Sequence, residues 1–132
     1  MQSPFVDALR KILPRFPDLR LHRVKPWSDY VIAVFQIDDP SLVNKFAGMA
    51  ENANVRFMVW SSWYGQSVKG CPTDWKDDFP CYEFRIDITD NSYGPYSICA
   101  RLIHDLRERG LVTKDEGDKI LTDIGYHDWQ ES

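Results

Sequence analysis

The chain has 132 residues, of which 43% are hydrophobic and 14% aromatic, and a formal net charge of −4. That is room for one domain and one core, with too much apolar surface for the whole chain to stay extended. No apolar run approaches the roughly 20 residues of a membrane-spanning helix, and Asp7, Arg10 and Lys11 interrupt any secretory h-region, so the reading is a cytoplasmic protein with no membrane partner.

The charge is unevenly spread. Residues 1–26 hold six basic and two acidic side chains, residues 64–92 three basic and six acidic, and residues 113–132 two basic and six acidic. A dominant basic field, the usual footprint of a nucleic-acid binder, is missing. The later, acidic half suits a partner with a basic surface instead.

Taken in order, Ser3-Pro4 offers a cap and a proline at the first helical position. Phe5, Leu9, Ile12 and Phe16 then recur at helical spacing, with Val6 and Leu13 beside them, and Pro14 ends the regular helix near Leu13. Arg10, Lys11 and Arg15 lie off this stripe, which fits a core helix with a wet face better than a helix lying on a membrane. Leu19 to Val24 and Tyr30 to Ile37 read as an antiparallel hairpin around Lys25-Pro26-Trp27-Ser28-Asp29. Asp39-Pro40 opens a second helix carrying Leu42, Val43, Phe46, Ala47 and Ala50, closed by residues 52–54.

The stretch from Asn54 to Trp63 has large apolar groups at both parities, with Val55, Phe57, Val59 and Trp63 on one and Met58 and Trp60 on the other. This predicts a strand covered on both faces at the centre of the sheet. Strand, helix, strand over residues 30–63 predicts a crossover with its two strands parallel. Tyr82, Phe84, Ile86 and Ile88 alternate with Glu83, Arg85 and Asp87, which predicts a strand with one wet face, near an edge or on a side of the sheet that helices leave bare. Pro95 starts a third helix with Ile98, Cys99, Leu102, Ile103 and Leu106 inward and Gly110 at its stop. Thr113 and Glu116 form a capping box for a fourth, in which Gly117 costs about 1 kcal/mol relative to alanine. The order α-β-β-α-β-β-α-α on a four-stranded mixed sheet is a single α+β domain over residues 1–132.

No phosphate-binding glycine loop and no Cys-x-x-Cys pair is present. Three cysteines, Cys71, Cys81 and Cys99, are an odd number for a disulfide framework, although Cys71 and Cys81 bracket one loop and could pair. Cys99 and His104, five apart on a helix, point about 140° apart and make no nucleophilic pair. Three carboxylate pairs occur, Asp38 with Asp39, Asp77 with Asp78 and Asp87 with Asp90; Asp39 reads as a helix cap and Asp77 and Asp78 as a solvated loop. These residues weigh against an enzyme and assign no catalytic residue, metal or cofactor.

The remaining feature is the irregular segment from Tyr64 to Cys81, longer than most connections and rich in aromatics and aspartates. Trp75 and Phe79 sit among Asp74, Asp77 and Asp78, and Trp63, Tyr64, Glu83 and Asp87 could extend the patch. Aromatic anchors ringed by carboxylates suit recognition of a basic protein surface. The expectation is a small acidic protein-binding module, in its sharpest form an inhibitor or immunity-type protein that covers a partner's basic active site. The alternative is a small enzyme or ligand-binding domain with a pocket between the sheet and this segment, lined by Trp60, Trp63 and Tyr82.

Overall fold

The computed structural model describes residues 4–60, 80–89 and 93–125. Helix α1 spans Pro4–Ile12 and tightens into a 3-10 turn, Leu13–Arg15, where Pro14 withholds an amide. Strands β1 (Leu19–Pro26) and β2 (Tyr30–Ile37) follow, then helix α2 (Pro40–Asn52) and strand β3 (Arg56–Trp60). Strand β4 is Cys81–Asp87, and helices α3 (Gly94–Glu108) and α4 (Lys114–Asp123) close the described chain. The element order is the one that periodicity predicts.

The pairing order differs from expectation in an instructive way. The sheet runs β1-β2-β4-β3, and all three pairings are antiparallel. Strands β2 and β3 are parallel to each other, as the crossover requires, but β4 inserts between them. The sheet is therefore antiparallel throughout rather than mixed. The same insertion corrects two further expectations. Among the described strands β3 lies at the edge, with Val59 64% exposed, and not at the covered centre. Strand β4 is central, and Glu83 on its polar side is 1% exposed. The polar side of β4 is buried at Glu83, half-buried at Arg85 and exposed at Asp87, so it is wet only toward one end.

One core lies between the sheet and the helices. Val31, Ala33, Phe35 and Ile37 of β2 and Phe84 and Ile86 of β4 face α1, α2 and α3, and α4 packs on α1 and α3. Phe16, Phe35, Phe46 and Phe84 are fully buried. Their rings touch edge-on or tilted, with centroids 5.2 Å apart for Phe16 and Phe46 and 5.4 Å for Phe46 and Phe84. Each such side chain contributes about 1.5–3 kcal/mol of burial, and this cluster ties the two central strands to α2. Val6, Leu9 and Ile12 of α1 are buried too, which makes α1 a core helix. Of its basic residues, Arg10 serves the fold by donating to the Val24 carbonyl at 2.8 Å. On the following 3-10 turn, Arg15 pairs with Glu116 at 2.8 Å.

The helix ends follow local chemistry. Asp39 accepts from the Ser41 amide at 2.9 Å, and the Thr113–Glu116 capping box is complete. Three of the described helices stop on a left-handed residue, the last at Gly125 with φ 82°. At α3, Gly110 has φ 74°, its amide bonds to the Arg107 carbonyl, and the Leu111 amide bonds to Leu106. At α2, Asn54 takes the equivalent place with φ 57°, with matching bonds from Asn54 to Glu51 and from Val55 to Ala50. This turn launches β3 back along the sheet. In β1 the register shifts between Leu21 and Arg23, and burial pushes the intervening His22 imidazole below its ordinary value, with Arg23 adding to the effect.

Candidate functional site

Of the residues expected to meet a partner, Trp63, Tyr64, Asp74, Trp75, Asp77, Asp78 and Phe79 lie outside the described residues. Glu83 and Asp87 fall within β4 and differ sharply. The Glu83 carboxylate is interior, 3.3 Å from the Arg85 guanidinium. An ion pair at such depth repays its desolvation only through good partners, so Glu83 has a structural task in this sheet. Asp87 is exposed and accepts from the Thr89 amide at 2.9 Å, a bond that holds its carboxyl below the usual carboxylate range.

Around Val59 the sheet offers an apolar edge. In register, Val59 faces Tyr82 and Phe57 faces Phe84. The Phe57 and Tyr82 rings stack at 5.6 Å, nearly parallel at 6°. Tyr82 therefore belongs to the helix-side face, and burial raises its phenol above the ordinary value. Trp60 pairs with Cys81 in the register, and Trp63, which the expected pocket lining of Trp60, Trp63 and Tyr82 needs, lies outside the described residues. Cys81 itself is a buried thiol, and Cys71 lies outside the described residues.

The other face of the sheet is shielded at Val34, Gln36, Cys81 and Glu83 and opens toward the far end of β4. There, an open cleft of about 790 Å³ is walled by Arg56 at the start of β3 and by Arg85 and Asp87 of β4. Asp29 and Tyr30, after the β1–β2 turn, and Glu51, at the end of α2, complete it. The turn is pinned by bonds from the Trp27 amide to the Tyr30 carbonyl at 2.7 Å and from the Ile88 amide to the Asp29 carbonyl at 2.9 Å. Arg85 lies over the Tyr30 ring at 5.1 Å. Sequence patterning does not reveal this cleft, because its two arginines come together only when β4 inserts beside β3.

Among the described residues, Cys99 and His104 stand apart from this cleft. Cys99 is fully buried, and burial pushes its thiol up to about 12. His104 sits on the wet side of α3, 3.2 Å from Glu108. Among the described residues no group of three or more metal-ligating side chains is gathered, and no helix is long and apolar enough to cross a membrane. Comparison of the chain with models of known protein families, with curated protein sequences and with solved structures finds no match.

Proposed function

We propose that this protein is a protein-binding module whose contact surface combines the outer edge of β3 with the acidic, aromatic stretch that follows it in sequence. The observation that carries the reading is Val59, a large apolar side chain 64% exposed on the outermost strand. An edge strand carries backbone groups that a partner can pair with, and natural proteins usually blunt such edges unless they use them. The chain after this edge supplies Trp63, Tyr64, Trp75 and Phe79 as anchors and Asp74, Asp77 and Asp78 as charge. A partner with a basic surface is the complement, and the sharpest form is an inhibitor or immunity-type protein whose carboxylates occupy a cationic active site.

The test is affinity capture from the native host, followed by measurement with the purified partner. Val59→Lys and the combined Asp74→Lys, Asp77→Lys and Asp78→Lys changes should each weaken binding about tenfold or more while leaving the far-ultraviolet spectrum unchanged. The wild-type association rate should fall as salt rises. Capture of no partner, or a partner indifferent to both sets of changes, overturns the reading.

A further inference from the structure

The geometry points to a small-ligand site in the cleft between Arg56, Arg85 and the β1–β2 turn, shaped for a zwitterion whose oxyanion seats on the two guanidinium groups and whose ammonium meets the carboxylates beside them. Arg56 and Arg85 are direct register partners on adjacent antiparallel strands. Side chains so placed have Cβ atoms about 4.5–5.5 Å apart, and like charges there repel. Arg85 is partly compensated by Glu83 at 3.3 Å and by the Tyr30 ring. Arg56 is exposed, and among the described residues it makes no ion pair. Two planar forks on one wall of a cleft match the oxygens of a carboxylate or phosphate, which would turn repulsion into a bidentate contact.

The cleft also decides what kind of oxyanion fits. Asp29, Glu51 and Asp87 line it, so its carboxylates outnumber its guanidinium groups. A bare polyanion such as nucleic acid gains at the arginines and loses at these acids. A small molecule carrying both signs satisfies both. The volume of about 790 Å³ lies within the range of small-molecule sites. Arg56 comes two residues after the left-handed Asn54, and the Asp87 carboxylate is held by the Thr89 amide at 2.9 Å. It lies at the opposite end of β3 from Val59, so it stands or falls separately from the partner surface.

The experiment is a heteronuclear NMR titration of the full chain with O-phosphoethanolamine and glycine, and in parallel with inorganic phosphate, acetate and ethylamine. The zwitterions should move the backbone amides of Asn54, Arg56 and Thr89, in saturable fashion. The single-sign probes should bind about tenfold more weakly, since each forgoes one charged contact. Arg56→Gln, a change at an exposed position, should cut zwitterion affinity about tenfold, and Asp87→Asn should reduce it while sparing phosphate. Absence of saturable shifts at these amides, an Arg56→Gln titration matching wild type, or phosphate binding as tightly as phosphoethanolamine would each overturn the proposal.

Discussion

Gly117 has a meaning that composition hides. In sequence it is a flaw in a helix, and alanine there should gain about 1 kcal/mol. In the fold, a Cβ at this position would stand 2.7 Å from Ile103 Cγ2 and 3.3 Å from Arg107 Cδ, where α3 and α4 cross. Ile103 is buried and cannot swing aside. Gly117→Ala should therefore destabilise the protein by about 1–2 kcal/mol net, overpacking outweighing propensity, as read by urea denaturation. An alanine variant as stable as wild type would show that the helices part freely. Cys99, by contrast, was legible from its place on the apolar stripe of α3. With its thiol raised from 9.0 to about 12, it should resist iodoacetamide at pH 8 in the native state and react once denaturant is added, as mass spectrometry would show. The unfolded chain ionises first, so this thiol's share of stability fades as pH climbs from 9.0 toward about 12.

Among elements, the helices were the most readable, because caps and stops are local. The box at Thr113 and Glu116 came from four residues, and the structure makes both of its bonds. Thr113→Ala should cost about 1 kcal/mol, measured from the denaturant midpoint. Glu116 adds a pH signature. The Arg15 side chain foremost, then the Thr113 amide, hold its carboxyl below the ordinary 4.5. A depressed acid stabilises the fold above that ordinary value and loses its contribution as pH falls through the lower, native one. The acid limb of the stability curve should therefore flatten in Glu116→Gln, and an unchanged limb would remove the carboxylate from the account. Strands were harder. Apolar residues at both parities suggest a central β3, and strict alternation puts β4 either near an edge or over a bare side of the sheet; β3 is the outer of the described strands and β4 lies between β2 and β3. Alternation reports polarity, and it cannot separate a solvated Glu83 from one buried against Arg85. Which strand neighbours which depends on contacts far apart in the chain.

At the scale of the molecule, the single core and the α+β order follow from the apolar pattern alone, and so does the burial of α1 despite its basic side. The cleft at Arg56 and Arg85 was not legible, since a site made by register between distant strands has no motif. The β1-β2-β4-β3 arrangement has a consequence for assembly. During synthesis, the hairpin of β1 and β2 can close as soon as it leaves the ribosome, yet β3 emerges with no partner beside which to lie. Only when the segment from Cys81 onward appears do both remaining seams zip together, one on each flank of the newcomer. A nascent chain halted before that point holds, among the described elements, the hairpin, α1, α2 and an orphaned ribbon, whose seam stays open until the last interior strand arrives.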